Sequence, residues 1–359
     1  MFYTLFQESF PQVKFITFRA AAAAIVAFVA CILLGPPVIA WLTRKKIGER
    51  TEKGDSRVLS DLHRKKAQTP TMGGFFVLLA VVIAALLCSH VFNPFVLATL
   101  YVVISLGIVG FYDDYIKLTA VHKKGLSIRV KLGFQIAIGA IVGFELWYYG
   151  RGVMPDVTVL YVPILKKTID LGALYPLFVT LVIVASSNAV NITDGLDGLA
   201  IGCIIIATLT FAAICYLAGR ADFSRYLGIP YVSGVGELTV VCAAIVGAGM
   251  GFLWFNAHPA QVFMGNTGAL PLGGALGMIA VCAKQEIILF LVGAIFVIET
   301  LSVIIQIITV RGWNYRFFKI APIHHHFQFL GLHETKITIR FWIVAAIFAL
   351  LSLATLKVG

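Results

Sequence analysis

The segment NAVNITDGLDGLA, residues 188–200, places Asn188, Asn191, Asp194 and Asp197 between two long apolar runs. Four hard oxygen-bearing side chains at the end of an apolar segment suit a Mg²⁺ ion, which keeps several waters and binds through one or two carboxylates plus substrate phosphates. The same groups could form a polar loop with a helix N-cap, although four exceed what one cap needs. Asp194 and Asp197 share an i, i+3 spacing, as do Asn191 and Asp194, but all three do not align on one straight helix. Gly195 and Gly198 therefore predict a turn. A second carboxylate pair, Asp113–Asp114 in GFYDDY, closes another apolar run. Adjacent carboxylates at a membrane boundary are tolerable when a cation neutralises them, or as a solvated helix end.

Lys66 and Lys131 lie near the two boundaries that face these groups. Each is a point charge suited to phosphate, or equally a signal of membrane orientation. The run His324–His325–His326 does not suit one zinc ion, because three consecutive imidazoles cannot easily reach it; histidines can instead donate to phosphate or to a peptide carboxylate. Phe263 offers a ring face to a base or an interfacial anchor. Glu299 lies inside an apolar run, where an ionisable group costs about 2.5–3.5 kcal/mol on insertion scales and is expected to be functional or paired.

The elements that must hold these residues follow from composition. Of 359 residues, 60% are hydrophobic and 13% charged, and the mean hydropathy is +0.94. A soluble domain cannot bury so much apolar surface, so an all-α polytopic integral membrane protein is expected. A span needs about 20 mostly apolar residues. Ten runs qualify: 19–42, 72–91, 94–112, 130–149, 172–190, 197–218, 236–256, 268–284, 286–310 and 338–357. The eighth is short and glycine-rich, and the ninth is long enough to bend or to leave the membrane. Residues 157–170 alternate as a short hairpin would. The six cysteines lie in or beside apolar runs without a CxxC pair, so packing roles are expected. No cleaved signal peptide and no second domain are expected, leaving 1–359 as one transmembrane unit.

Lys and Arg are asymmetric. Nineteen of the 28 fall after odd-numbered runs, including Arg44, Lys65, Lys117, Lys124, Arg316 and Lys336. The positive-inside tendency makes that side cytoplasmic and turns both termini outward. The net charge of +11 then reflects topology and anionic lipid rather than nucleic acid. On the same side fall TPTMGG (69–74), GFYDDYIKL (110–118), NAVNITDGLDG, WFNAHPAQVFMGNTG (254–268) and APIHHHFQFLG (321–331). Five distant segments on one face predict one composite site.

HRKKAQTPTMGG, GFYDDY, NAVNITDGLDGLA, GFLWFNAHPAQVFMG, APIHHHF and RFW at 340–342, in this order over the whole chain, resemble the polyprenyl-phosphate N-acetylhexosamine-1-phosphate transferases. The histidine run and TPTMGG favour their muramoyl-pentapeptide branch. The resemblance implies attack of undecaprenyl phosphate on UDP-N-acetylmuramoyl-pentapeptide, releasing UMP and forming lipid I, a peptidoglycan precursor. It implies Mg²⁺, a homodimer and ten helices in the bacterial inner membrane, with the active site facing the cytoplasm. Residue by residue, Asp113 matches the proposed general base and Asp114 its acidic neighbour. Lys66 and Lys131 match phosphate-side lysines, and Asn188, Asn191, Asp194 and Asp197 match nucleotide and substrate positions. Asn256 and Phe263 match the uridine pocket, and His324, His325 and His326 match a loop near the diphosphate and peptide. One position departs: the family carries its metal-ligating Asp where this chain has Asn266. Three readings stand for Asn266: an engineered inactivating change, a natural variant, or altered chemistry. Retention of every other motif favours the first. A UDP-N-acetylglucosamine transferase and a secondary transporter are the competing functions; a transporter would show paired broken helices with a mid-bilayer site.

Overall fold

The computed structural model describes residues 11–45, 69–119, 125–150, 154, 156–163 and 167–357. Lys66 and the HRKK stretch lie outside the described residues. The helices are α1 (Ile16–Arg44), α2 (Gly74–Cys88), α3 (Pro94–Thr119), α4 (Ile128–Tyr149), α5 (Tyr175–Thr193), α6 (Leu199–Ala218), α7 (Ala221–Leu227), α8 (Leu238–Asn256), α9 (Asn266–Cys282), α10 (Glu286–Val292), α11 (Ala294–Trp313), α12 (Ile323–Phe329) and α13 (Glu334–Thr355). Eight helical segments are long and apolar enough to cross a membrane, and α2 and α9 are shorter apolar helices. The protein is an all-α polytopic membrane protein, and the ten apolar runs correspond to these ten helices.

Why α9 is short is visible in its surroundings. Every residue from Thr267 to Cys282 is buried, so α9 is a central post that meets helices on all sides. Its length is about 25 Å at 1.5 Å per residue. Gly273 and Gly277 repeat at four residues and face α5: a Cβ on Gly273 would meet Ser187 Cα at 2.9 Å, and one on Gly277 would meet Ile183 Cα at 3.3 Å. Gly274 faces Leu106 of α3. Small residues at this spacing let helix backbones approach where lipid supplies no hydrophobic drive between helices. Glycine enrichment, which weakens the apolar signal in the sequence, is what makes the helix central.

The ninth run does bend. It divides at Gly293 into α10 and α11, where Gly293 (φ −91°, ψ 20°) is the shared cap. The hairpin expected at 157–170 is present: β1 (Val159–Val162) pairs antiparallel with β2 (Lys167–Asp170), with Val159 opposite Asp170 and Val162 opposite Lys167. Asp170 accepts from the Thr158 hydroxyl at 2.6 Å and from Gly172 N–H at 2.9 Å, closing the base of the hairpin. All six cysteines are buried and free. Near the same end, Arg19 of α1 makes two bonds to Glu237, just before α8, at 2.6 and 2.5 Å. Glu237 also accepts from His90 N–H at 3.1 Å. This fork ties three helix ends together and neutralises a guanidinium that is only 4% exposed.

At the other end, glycine brings α3 against the start of α9. A Cβ on Gly110 would meet the Asn266 carbonyl carbon at 2.6 Å and Thr267 Cα at 2.9 Å, all backbone atoms that cannot step aside. Gly110→Ala is therefore expected to destabilise by about 1–3 kcal/mol through overpacking. Gly133→Ala on α4, where a Cβ meets nothing within 4 Å, is expected to hold or raise stability. Apparent melting temperatures of the two variants in detergent, compared with the parent, check both.

Candidate active site

Asp113 and Asp114 sit in the last turns of α3 and are 2% and 4% exposed. Their surroundings answer the charge problem that their adjacency creates. Lys117, one turn further along, brings its ammonium to 2.6 Å from Asp113 Oδ2 and 3.4 Å from Asp114 Oδ1. Asp113 Oδ1 accepts from Leu126 N–H at 2.7 Å. The Asn266 side-chain amide donates to Asp113 Oδ2. Asp114 Oδ2 accepts from Thr267 N–H at 2.9 Å and from the Thr267 hydroxyl at 2.8 Å. Asp114 thus caps the opening of α9, where unsatisfied N–H groups and the helix dipole favour an anion. Lys131, at the start of α4, lies within the electrostatic reach of Asp113, Asp114 and Lys117.

The loop between α8 and α9 delivers Asn266 to this pair. Phe263 N–H donates to Pro70 O at 2.8 Å, and Gly73 N–H and Gly74 N–H donate to Phe263 O and Met264 O at 2.8 and 2.9 Å. The loop is thereby stapled to the TPTMGG segment as a short paired backbone. Gly265 has φ +71°, and a Cβ there would meet Asp114 Oδ2 at 2.7 Å. Only glycine fits this left-handed position beside a carboxylate. Half-buried Phe263 is thus held by its backbone within this staple.

The same loop also reaches the turn between α5 and α6. That turn is as the two glycines suggested: α5 ends at Thr193, Asp194 is its cap, and Gly198 (φ +75°) opens α6. Asp197 Oδ2 lies 2.9 Å from His258 Nδ1 and accepts from Ala260 N–H at 3.2 Å. Asp197 N–H donates to Glu334 Oε1 at 2.7 Å. Asn256 accepts from Gly198 N–H at 3.0 Å and donates to Val262 O at 2.8 Å, so its amide joins the turn to the loop. Among the described residues, Asp197, His258 and Glu334 are the group whose ligand atoms lie close enough to hold a metal ion, all within 4.8 Å of one another.

His324 meets the turn from the far side. A Cβ on Gly195 would meet its ring carbon at 2.9 Å. The partner of Glu299 is also His324: Nδ1 lies 3.0 Å from the carboxylate, and both side chains are fully buried. The approach is off the hydrogen-bonding direction, so it is an electrostatic contact and not a formed hydrogen bond. Ser302 Oγ accepts from Ile323 N–H at 3.0 Å, seating α12 on α11. His324 therefore points into the protein, whereas half-buried His325 and His326 pair locally, with Gln328 Oε1 at 2.7 Å and Lys319 N–H at 3.2 Å.

Five sequence segments thus meet at one end of the bundle. Asp113 and Asn266 are in direct contact; Asp197 lies in the α5–α6 turn, to which Asn256 at the end of α8 is bonded; His324 backs that turn. Half-buried Asn191 and Asp194 lie on its rim. Asn188 is engaged about two turns deeper, donating to Gln135 Oε1 and Val184 O, both at 2.8 Å. Sequence reasoning overlooked Lys117, Thr267, Gln135, His258 and Glu334. Lys117 had a signal, one turn from two adjacent carboxylates, yet it read as a charge at a membrane edge.

Residues 96–284 match the model of the glycosyl transferase family 4. The chain is 47% identical over 346 residues to a phospho-N-acetylmuramoyl-pentapeptide-transferase of Geobacter sp. (strain M21), covering 96% of this chain and 94% of that protein. It is equally similar, 47% over the same length, to the protein of that name from Citrifermentans bemidjiense. The chain belongs to glycosyl transferase family 4, in its phospho-N-acetylmuramoyl-pentapeptide-transferase branch.

Asp114→Ala would leave the buried Thr267 N–H without its acceptor, a loss of about 1–3 kcal/mol. Asp114→Asn keeps a carbonyl acceptor and is expected to recover most of that. Thermal unfolding of the two variants in detergent distinguishes them.

Proposed function

We propose that the chain transfers phospho-N-acetylmuramoyl-pentapeptide from its UDP-linked donor to undecaprenyl phosphate, releasing UMP and forming lipid I for peptidoglycan synthesis. Near half identity along almost the whole chain to transferases of that name supports the reading. The observation that carries it is the meeting of Asp113 with Asn266 at the end of an apolar bundle. There a lipid-held acceptor and a water-soluble donor can share one site. The basic side is the cytoplasmic side in this proposal, with both termini outside the inner membrane. The whole chain acts as one transmembrane domain and pairs as a homodimer. An apolar groove between helices guides the prenyl tail.

The donor set fits a hard divalent cation. Asp113, Asp114, the Asn266 carbonyl and the Thr267 hydroxyl are oxygen donors, the set a hard cation prefers, and Lys117 is the ammonium in contact with the two buried carboxylates. Asp113, Asp114 and Asn266 are the residues that would hold Mg²⁺, with Asn weakening the site by one full charge. Bound there, Mg²⁺ would neutralise the diphosphate and the charge that departs with UMP.

The protein's own groups do the positioning. Lys117 and Lys131 screen the approaching lipid phosphate. With a second pKa of about 6, that phosphate is mostly dianionic at neutral pH, so a base is helpful without being obligatory. Asp113 Oδ2 accepts the proton where one must leave, and Lys117 holds that oxygen in place at 2.6 Å. Asn188, Asn191, Asp194 and Asp197 line the donor side, and Asn256 and Phe263 the uridine side. His325 and His326 face the diphosphate and peptide, whereas His324 acts by seating the α5–α6 turn. Lys66 belongs to the phosphate side by resemblance.

The test is UMP release by purified protein given polyprenyl phosphate and one UDP-sugar at a time. Release with UDP-N-acetylmuramoyl-pentapeptide is expected; release only with UDP-N-acetylglucosamine would move the chain to the sister activity. Solute counterflow in proteoliposomes without UMP would make it a transporter. Asn266→Asp is expected to raise Mg²⁺-dependent release by orders of magnitude, and Asp113→Ala to abolish it. No gain from the first substitution removes position 266 from the metal site.

A further inference from the structure

The turn opening α6, the α8–α9 loop and the first turn of α13 assemble a second constellation, built from other residues than the Asp113–Asn266 pair. His258 Nδ1 stands 2.9 Å from Asp197 Oδ2 and 3.9 Å from Glu334 Oε2. A tetrahedral ion with ligand bonds of about 2.0–2.1 Å requires ligand atoms about 3.3–3.4 Å apart. The two His258 separations bracket that value, and all three ligand atoms lie within 4.8 Å of one another, so side-chain shifts alone would complete the polyhedron. We propose that Asp197, His258 and Glu334 form a three-ligand site for a divalent transition-metal ion of the zinc type, with the fourth position open to water.

The ligand types argue for that class of ion. One imidazole between two carboxylates suits zinc, whereas magnesium favours oxygen throughout. The supports of the ligands argue for a held geometry. Glu334 uses Oε1 on Asp197 N–H, which leaves Oε2 directed at His258. The Thr338 hydroxyl donates to Asp197 O at 3.2 Å. Such outer contacts orient ligands before the ion arrives. The His258 side chain is 31% exposed and the two carboxylates are at most 9% exposed, so the ion enters from the aqueous side. An ion there would fasten α6, α13 and the loop that ends in Asn266. Its effect is to clamp that loop, independently of which substrate the transferase uses.

Tag-free, chelator-stripped protein in detergent is titrated with Co²⁺ under excess Mg²⁺. Stoichiometric visible d–d absorption of tetrahedral intensity is expected, displaced by Zn²⁺, with a higher apparent melting temperature in either ion. His258→Ala and Glu334→Gln each lose the absorption and the thermal shift, while the double variant His325→Ala/His326→Ala keeps both. No band in the parent protein overturns the site. A band that survives His258→Ala or Glu334→Gln, or disappears in the double variant, places the ion at the histidine run instead and overturns it equally. Should one of the two ligand variants fail to fold, the other and the double variant still decide.

Discussion

Two adjacent carboxylates buried at the end of an apolar helix must be neutralised by groups brought to them, and the active end of this protein is arranged around that demand. Asp113 and Asp114 have almost no solvent exposure, so water cannot stabilise them. Lys117 supplies one charge from the same helix. Everything else comes from elsewhere: an amide from Asn266, an N–H and a hydroxyl from Thr267, an N–H from Leu126. The opening of α9 must therefore touch the close of α3. That contact explains Gly110 on one helix and Gly265 at the mouth of the other, since a side chain at either place would push the two apart. It also explains why the α8–α9 loop is stapled to Gly73 and Gly74: the loop has to arrive at a fixed height to deliver Asn266.

The same loop carries a second constraint in its first half. His258 and Ala260 engage Asp197, and Asn256 engages Gly198, so the α5–α6 turn and the Asp113 pair are fixed relative to one another through roughly ten residues of backbone. The turn is backed in turn by His324 through Gly195. Polar residues drawn from five segments can keep mutual positions only if such cross-links exist, because helices in lipid have little hydrophobic drive to hold a specific register. Polar contacts at the helix ends do that work here.

Much of this architecture was legible in the residues. Apolar runs of near twenty residues predicted ten helices, and among the described residues eight long apolar helices and two shorter ones answer to them; the hairpin expected at 157–170 and the break in the ninth run were likewise visible as alternation and excess length. The candidate site was legible as clusters of Asn and Asp where an apolar chain tolerates them least. What one sequence conceals is pairing across distance. Glu299 announced itself as costly, but its partner lies 25 residues on, at His324, and no local period links them. Glu334 is the acidic residue in the first turn of its helix, and only the fold brings it to Asp197. Gln135, on an otherwise apolar helix, meets Asn188 across 53 residues. Such contacts depend on helix order in the bundle, which periodicity does not encode.

Asn266 shows how one atom changes the logic of the site. An aspartate at that place would set two carboxylates against each other, and like charges at contact distance require a cation or a proton between them. The amide instead presents its own N–H to Asp113, so the pair is satisfied from within and the demand for a cation falls. The same amide that satisfies Asp113 from within also contributes no charge to the proposed metal site. Stability and metal affinity pull in opposite directions at residue 266, as expected wherever a catalytic site holds buried like charges that its cofactor, and not its scaffold, is meant to neutralise.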